Sequence, residues 1–420
     1  MEFPVAPPET GRPDSGESIV LCRRLISRRS AIRMTRRHGV ASLLAGWLTL
    51  AWIATGMTGS VLAAPAKKKT SSASTQTAQK SKTKKKTAAR KKKASSYWTE
   101  PTYADSTAGD NIDGEDLDVR RSAVDALGPL NGTVVVVDPN TGRILTMVNQ
   151  KLALSSGFQP CSTIKVPVAL AALREGIIER TSTMRIAGRG RMDLTEALAH
   201  SNNPFFASLG VKLGYERVAF YAHLFGLGEK AGLGIPGEHP GRFPSEPPKD
   251  GGVGMLTSFG SEISLTPLQL AAFMATLANG GTLYYLQYPT SDEEAKNLVP
   301  RIKRELDIQD LVAEVLPGMR GAVEYGTARR AYDPDDPIAG KTGTCSENRV
   351  HLGWFGSFND AGQNKLVVTV LLTGGKPSVG PLAAQVAGQV YKNLAVKNYF
   401  AVNRPITPAA LVSTSMCCSR

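Results

Sequence analysis

The sequence predicts a mixed α/β (α+β) fold in which one sheet is completed by both ends of the same domain. Strand-like runs stand at residues 131–149 and again at 340–375, and helical patterns fill the residues between them. Strands and helices therefore do not alternate in a strand-helix repeat. We expect helices to flank the sheet, and a helical lobe to be inserted between its first and last strands.

Residues 131–149 are predicted to form a β-hairpin. Two β-branched, apolar runs surround Asp-Pro-Asn-Thr-Gly, whose residues are typical of tight turns. The Ala- and Leu-rich stretch that follows, ending near Arg174, is predicted as a buried helix, and Gly176 stands where a helix stop is expected.

Residues 190–230 are predicted to be helical, with a break at Asn203-Pro204. The Gly- and Pro-rich stretch 225–241 is predicted as a loop, because it lacks the glycine patterns that bind phosphate. Residues 285–310 are charged and are predicted to lie at the surface.

A further helix is predicted over residues 266–281. Thr266 is a favourable N-cap, Pro267 suits the first helical position, and two glycines end the pattern. The closing elements are predicted strands at 340–344, 351–358 and 365–375 and a helix at 381–396.

The net charge of +14 comes from the front of the chain. Residues 67–96 hold 12 Lys and Arg and no acid, whereas residues 97–420 hold 30 basic and 32 acidic residues. A segment so rich in Lys, Ser, Thr and Ala buries too little to fold, so we expect an extended tether. It either contacts anionic membrane or wall polymers or is a plain spacer. Nucleic-acid binding would fit this basic composition, but it conflicts with the export signal described next. We therefore do not expect the protein to bind nucleic acid.

Residues 39–66 contain no charged side chain, follow a basic segment and precede three lysines. The stretch is long enough to span a bilayer but ends in small residues, as a secretory signal does. A cleaved signal and an uncleaved anchor both remain open, as does a start at Met1 or at Met34. Either alternative places the bulk of the protein outside the cytoplasm.

Neither metal-ligand spacing nor a disulfide framework is present among the cysteines or the five histidines. We therefore expect no metal. The cysteines are Cys22, Cys161, Cys345, Cys417 and Cys418.

Ser162 and Lys165 form a Ser-x-x-Lys pattern at the start of the predicted buried helix. Residues three apart share one face of a helix, so the two side chains point the same way. A serine hydroxyl becomes a good nucleophile when a base takes its proton. A lysine can be that base if burial or a second cation lowers its pKa, and Lys341 is such a cation.

Two further motifs complete this candidate site. Lys341-Thr342-Gly343-Thr344, on a predicted edge strand, would offer a charge, hydroxyls and N–H groups to an anionic substrate, and Gly343 would allow close approach. Ser201 would carry a proton, and Asn203 would bind an amide. Each motif alone fits a structural role such as a helix cap or a turn; their combination indicates acyl transfer.

In this order the motifs resemble those of the transpeptidase domain of penicillin-binding proteins, which are serine penicillin-recognising enzymes with a β-lactamase-like fold. Similar stretches are VVVVDPNTGRILTMV, FGLGEKAGLGIPGE, TPLQLAAFMATLANGG, GTARRA and WFGSF. The resemblance covers about residues 130–396 and implies an antiparallel sheet. Residues 97–130 are too few for the amino-terminal pedestal domain that many relatives carry.

The chain therefore divides into five predicted segments. They are a basic amino-terminal segment (1–38), a signal peptide or membrane anchor (39–66), a Lys-rich disordered tether and linker (67–130), the transpeptidase domain (131–396) and a carboxy-terminal tail (397–420).

The resemblance implies a serine acyl-enzyme mechanism on D-Ala-D-Ala stem peptides of peptidoglycan, without a cofactor. Ser162 would attack the penultimate carbonyl, Lys165 would take its proton, and Ser201 would help return a proton to the departing D-Ala. The main-chain N–H groups of Ser162 and Thr344 would form the oxyanion hole. An amine from a neighbouring strand would then resolve the acyl-enzyme, and β-lactams would acylate the same serine.

The remaining motif residues would hold the peptide. The resemblance assigns Asn203 to its orientation. Thr342 and Thr344, with Lys341 nearby, would hold its carboxylate, and Gly343 would lie beside it. Water as the acceptor would make the protein a D,D-carboxypeptidase instead.

Two cysteines depart from the family pattern. Cys161 stands immediately before the candidate nucleophile, where a small residue such as Gly is common, and Cys345 follows the Lys-Thr-Gly-Thr strand. In an oxidising compartment they either form a disulfide across the mouth of the site or remain two half-buried thiols.

A β-lactamase and a non-catalytic β-lactam-sensing or wall-binding module are the alternatives. A β-lactamase needs an activator for water. Glu229, Glu238 and Glu246 lie in the appropriate region but without a recognisable helper motif, and Asn203 differs from the apolar residue of class D enzymes. A sensor would need a cytoplasmic output domain, for which residues 1–38 are too short.

Overall fold

Strands from both ends of the domain join in one antiparallel sheet, which confirms the predicted fold class. The computed structural model describes residues 98–186, 190–359, 365–376 and 379–400. The strands there are β1 (Gly132–Val137), β2 (Ile144–Val148), β3 (Met184–Ile186), β4 (Gly190–Met192), β5 (Thr282–Tyr284), β6 (Ile302–Glu305), β7 (Ile338–Glu347), β8 (Val350–Asn359) and β9 (Val367–Gly374). The main sheet has the order β2-β1-β9-β8-β7, so β7 is an edge strand.

Helices cover both faces of this sheet. They are α1 (Leu117–Leu127), α2 (Gln150–Ala153), α3 (Lys165–Arg174), α4 (Leu194–Ala199), α5 (Asn203–Leu213), α6 (Tyr215–Leu224), α7 (Gly252–Phe259), α8 (Pro267–Ala278), α9 (Asp292–Lys296), α10 (Gln309–Glu324) and α11 (Val379–Val396), with 3-10 turns at Cys161–Ile164 and Arg329–Ala331.

The alternation of side chains along the central strands produces two cores. Val135 and Val137 of β1 belong to the core that includes α8 and the helical lobe. Val134 and Val136 belong to the core beneath α1 and α11. Because successive strand residues point to opposite faces, a run of four valines serves both layers.

Helix α8 lies in the centre of the first core, and all of its residues are buried. Thr266 and Gln269 form a capping box, and Pro267 occupies the first turn, as predicted. The helix packs against β1, β8 and β9 and so supports the sheet beneath the lobe.

The lobe is not entirely helical, which corrects one part of the prediction. Strands β3 and β4 pair as a small hairpin, so residues 190–192 are extended rather than helical. Strands β5 and β6 pair likewise, within or beside the segment 285–310 that was expected only to be charged surface. Strands of three or four residues are too short to show a clear period of two.

Residues 98–130 belong to the packed domain rather than to a linker. Helix α1 starts at the N-cap Asp116, whose side chain accepts hydrogen bonds from the N–H groups of Asp118 and Val119. Val119 is fully buried in the second core. The mean hydropathy of this helix is low, so the sequence pattern did not reveal that one of its faces is buried.

The carboxy-terminal tail also begins later than predicted, because Phe400 is buried and the Tyr399 hydroxyl donates to Asp116 Oδ2 at 2.8 Å. The predicted segments 1–38 and 39–66, and the Lys-rich residues 67–96, lie outside the described residues. Within the described part of the chain, no helix has the length and apolar character needed to cross a membrane.

Candidate active site

Ser162 lies in the 3-10 turn that leads into α3. The turn is closed by Thr163, whose hydroxyl donates to the Pro160 carbonyl oxygen at 2.8 Å. Cys161 has a φ of 52°, in the left-handed region that residues with a Cβ rarely adopt. The half-buried Ser162 is therefore presented from a constrained turn rather than from a regular helix.

The Lys165 amine joins three of the residues that the motifs single out. Its Nζ atom lies 2.5 Å from Ser162 Oγ, 2.6 Å from Asn203 Oδ1 and 3.3 Å from Ser201 Oγ. A neutral amine has two N–H donors and one lone pair. Asn203 and Ser201 can accept the two protons, which leaves the lone pair to accept the Ser162 hydroxyl proton.

The surroundings of Lys165 favour that neutral form. The side chain is 0 % exposed, and the rings of Phe206 and Phe259 lie 5.9 Å and 6.0 Å from Nζ. Burial, and after it the positive charge of Lys341, lower the pKa of Lys165 to about 6. At neutral pH most molecules therefore hold an amine that can accept a proton.

A break between two helices positions Ser201 and Asn203. Helix α4 ends at Ala199, and Ser201 takes a left-handed φ of 55°. Asn202 caps α5 by accepting from the Phe205 N–H at 2.9 Å, and Asn203 is the first residue of that helix. The proline at position 204 therefore begins a helix, instead of ending local structure as predicted, because a first-turn N–H needs no partner.

Lys341 lies on the edge strand β7 and is fully buried. Burial lowers the pKa of its amine to about 7, and Nζ donates to the Thr342 carbonyl oxygen at 3.1 Å. The structure brings Lys341 close enough to affect the charge of Lys165. Because the Lys341 side chain is fully buried, its amine is not exposed to a substrate in this structure.

Thr342 and Thr344 lie on the opposite face of β7 from Lys341 and Gly343, because strand residues alternate. The Thr342 hydroxyl is 2.6 Å from that of Thr327, while Thr344 is exposed. Sequence reasoning missed Thr327. Its only signal in the sequence is its place in GTARRA, one of the stretches that resemble the family.

The structure pairs Cys161 with Cys345 in a disulfide with a Cα–Cα distance of 5.6 Å. Of the two alternatives left by the sequence, the bridged form is the one observed. The bridge joins the residue before Ser162 directly to β7.

Two of the three acids considered as water activators have other partners. Glu229 binds Lys303 and Arg304, and Glu238 accepts hydrogen bonds from the N–H groups of Ala231 and Gly232. Glu246 is exposed. In the described ranges no group of His, Cys, Asp and Glu side chains could hold a metal ion.

An antiparallel sheet with an inserted lobe, and a Ser-Lys pair held between that lobe and the edge strand, define the class of serine penicillin-recognising enzymes. Residues 132–394 match the family described as "Penicillin binding protein transpeptidase domain", and the chain belongs to this family.

Several curated proteins are similar to much of this chain. Stage V sporulation protein D of Bacillus subtilis is 28% identical in an alignment of 311 residues, gaps included, that covers 64% of this chain and 48% of that protein. Peptidoglycan D,D-transpeptidase FtsI of Escherichia coli is 24% identical in an alignment of 305 residues, gaps included, that covers 62% of this chain and 50% of FtsI. The chain spans about half the length of the curated relatives it matches.

Solved structures have the same fold. Pseudomonas aeruginosa PBP2, crystallised in complex with WCK 5153, has a TM-score of 0.60 and 25% identity, covering 70% of this chain and 78% of PBP2. The D,D-transpeptidase domain of an Eggerthella lenta peptidoglycan glycosyltransferase has a TM-score of 0.52 and 22% identity, covering 67% of this chain and 82% of that one.

Proposed function

We propose that the chain is a peptidoglycan D,D-transpeptidase that forms an acyl-enzyme on Ser162 with D-Ala-D-Ala stem peptides. The observation that carries this proposal is the 2.5 Å contact between Ser162 Oγ and the buried Lys165 amine. An amine whose pKa is about 6 can take the hydroxyl proton at neutral pH, which makes the oxygen a nucleophile. The peptidoglycan transpeptidases among its relatives support the same substrate class.

Acylation proceeds by attack of Ser162 Oγ on the penultimate D-Ala carbonyl while its proton moves to Lys165. The main-chain N–H groups of Ser162 and Thr344 stabilise the oxyanion, a contribution that is typically about a hundredfold or more for each donor. The Lys165 ammonium then returns a proton through Ser201, 3.3 Å away, to the departing D-Ala amine. The C–N bond breaks, and the peptide remains as an ester on Ser162.

Substrate binding uses the opposite wall of the site. Thr342 and the exposed Thr344 bind the terminal carboxylate, and the cationic form of Lys341 attracts it from beneath the strand. Gly343 leaves the backbone accessible. The Asn203 amide orients the peptide while its oxygen holds Lys165 at 2.6 Å.

The acceptor in the second half-reaction distinguishes a transpeptidase from a D,D-carboxypeptidase or a β-lactamase. In a transpeptidase, an amine of a neighbouring stem peptide attacks the ester and gives a cross-link. Water as acceptor would give a D,D-carboxypeptidase or, with β-lactams, a class D-like β-lactamase. The hydrogen bonds of Glu229 and Glu238 favour the amine as acceptor, because Glu229 is held by Lys303 and Arg304 of β6 and Glu238 by N–H groups of its own loop.

The proposed site of action is outside the cytoplasm, where peptidoglycan is cross-linked. A disulfide persists in such an oxidising compartment, so the Cys161–Cys345 bridge supports this location. Contact of residues 67–96 with anionic membrane or wall polymers is part of the same proposal.

Labelling with a fluorescent penicillin, followed by mass mapping of the adduct, tests the nucleophile. We expect label on Ser162, loss of label in Ser162→Ala, and full labelling of the matched surface variant Ser245→Ala. Label on another residue, or its persistence in Ser162→Ala, would refute the assignment.

A synthetic stem peptide ending in D-Ala-D-Ala, incubated with and without a D-amino acid, tests the acceptor. An exchange product that carries the added amino acid supports the transpeptidase. Release of D-Ala alone indicates a carboxypeptidase. In a separate assay, rapid and repeated hydrolysis of the β-lactam nitrocefin would indicate a β-lactamase. A folded protein with none of these activities would be a binding module.

A further inference from the structure

One face of β7 contacts the segment before Ser162 at three alternate positions. A Cβ on Gly343 would stand 2.8 Å from the Pro160 carbonyl oxygen, so the two backbones are in direct contact there. Cys345 is bonded to Cys161. Two residues after Cys345 along β7, the Oε2 atom of Glu347 accepts a hydrogen bond from the Gln159 N–H group at 3.0 Å.

Gln159 is held from two other directions. Its carbonyl oxygen accepts from Trp354 Nε1 at 2.9 Å, and its Nε2 donates to the Phe259 carbonyl oxygen at 2.9 Å. Hydrogen bonds therefore fix Gln159, and the Thr163 hydroxyl fixes Pro160. Cys161 is the member of this segment that a covalent bond holds in place.

The backbone of Cys161 needs such support. Its φ of 52° lies in the left-handed region, which glycine adopts freely and which a Cβ disfavours. Cys161 directly precedes Ser162, so a relaxation of its φ would turn the Ser162 N–H and Oγ away from their present directions. In the bridged protein Oγ is 2.5 Å from Lys165 Nζ, so the bridge is compatible with a competent site.

We propose that the Cys161–Cys345 disulfide positions the nucleophile by holding Cys161 in a backbone conformation that otherwise favours glycine, and that acylation therefore depends on the oxidised state. The proposal rests on the proposed role of Ser162. Cys161 and Cys345 are positioning residues, since they act on the reaction through Ser162.

Reduction requires a dithiol and transfers two electrons to the protein. A thiolate of the dithiol attacks Sγ of the half-buried Cys345, the Cys161–Cys345 bond breaks, and Cys161 leaves as a thiolate that takes up a proton. The second thiol of the reductant then attacks the mixed disulfide. It releases Cys345 as a thiol and leaves the reductant as a disulfide.

Two double variants separate positioning from stability. Cys161→Gly with Cys345→Ser and Cys161→Ala with Cys345→Ser both lose the bridge, so both lose its cross-linking effect on stability. They differ by one Cβ at the residue with positive φ. Glycine fits that conformation, whereas alanine is disfavoured there.

The experiment measures the second-order rate constant for acylation of the full chain by a fluorescent penicillin. We expect the dithiothreitol-reduced protein and the Ala/Ser variant to react about tenfold more slowly than the oxidised protein. Without the bridge, a residue with a Cβ at position 161 disfavours the left-handed backbone conformation by about that factor. The Gly/Ser variant should stay within about twofold of the oxidised rate, even though its melting temperature falls. Alkylation and mass mapping of Cys161 and Cys345 report the redox state.

Four outcomes would overturn the inference. Equal rates in all four proteins would mean that the bridge has no positioning effect, while label on Ser162 would leave the proposed function intact. A Gly/Ser variant as slow as the Ala/Ser variant would exclude the backbone route, and faster acylation after reduction would mean that the bridge obstructs the site. Absence of label from every form would refute both this inference and the proposed function.

Discussion

The amine nitrogen of Lys165 lies 2.5 Å from the hydroxyl oxygen of Ser162, at the start of a helix whose first eight residues are buried. A charged ammonium in that position would cost several kcal/mol of desolvation. The pKa of about 6 shows how the protein resolves this cost, since the amine releases its proton at neutral pH. The same burial that disfavours the charge favours the neutral amine, which the proposed mechanism uses as the base.

Replacement of Lys165 by Met should slow acylation by a fluorescent penicillin by roughly 10²- to 10⁴-fold, because a general base contributes about that much. Met keeps the unbranched shape of the buried side chain but cannot take a proton. The exposed Lys151 of α2 provides a matched control, and Lys151→Met should react as the unmodified protein does. A Lys165→Met variant within threefold of the control would contradict the role of Lys165 as the base.

The acylation rate should rise with pH through a midpoint near 6. Lys165 is charged below its pKa of about 6 and neutral above it, and only the neutral amine can accept the Ser162 proton. Below the midpoint we expect the rate to fall about tenfold per pH unit. Rates measured between pH 4.5 and 8 at constant ionic strength test this; a rate that does not change across that range would exclude the proposed base.

Lys341→Met should move that midpoint to higher pH. The positive charge of Lys341 is the second cause of the lowered pKa of Lys165, so its removal makes the ammonium less unfavourable. Burial is the larger cause and remains, which keeps the midpoint well below the ordinary value of 10.5. The midpoint rather than the maximal rate is the readout, because in the proposed mechanism Lys341 also attracts the substrate carboxylate. A midpoint that stays at 6 or falls would contradict the coupling.

The buried amine should also make stability depend on pH. Between about 6 and 10.5, Lys165 is neutral in the folded protein but charged in the unfolded chain, so the unfolded state binds more protons. The free energy of unfolding should therefore rise with pH in this window, by roughly 1.4 kcal/mol per unit relative to Lys165→Met. Urea unfolding of both proteins at pH 6.5, 7.5 and 8.5 measures the difference, and parallel curves would mean that Lys165 is charged in the folded state.

The parts of the fold that the sequence predicted well are those with long, regular patterns. Helix α8 has a capping box at Thr266 and an uninterrupted apolar run, and its bounds follow from these local features. Strands β3 and β4 have three residues each and are stabilised by pairing with one another, which local pattern does not reveal. Helix α1 was missed because its buried residues include the polar Arg120 and Ser122 and so form no clear apolar pattern.

The candidate site also has residues that the sequence predicted and residues that it did not reveal. The motifs named Ser162, Lys165, Ser201 and Asn203, and the structure brings these four side chains into contact. Thr327 was not singled out, because its contact with the β7 hydroxyl depends on how α10 meets the strand. The cysteine pairing likewise stayed open, since a separation of 184 residues says nothing about distance in space.

Thr327→Val should impair the site without unfolding the protein. The hydroxyls of Thr327 and Thr342 are 2.6 Å apart, so Val leaves the buried Thr342 hydroxyl without this partner and free to turn away from the carboxylate that we propose it binds. We expect a loss of about 1 kcal/mol in the free energy of unfolding. We also expect a several-fold lower acylation rate, because the penicillin binds more weakly before it reacts. Thr276→Val is the control, because it removes the hydrogen bond to the Ala272 carbonyl inside α8. It should cost similar stability with an unchanged rate, and equal rate losses in both variants would assign the effect to folding rather than to the carboxylate site.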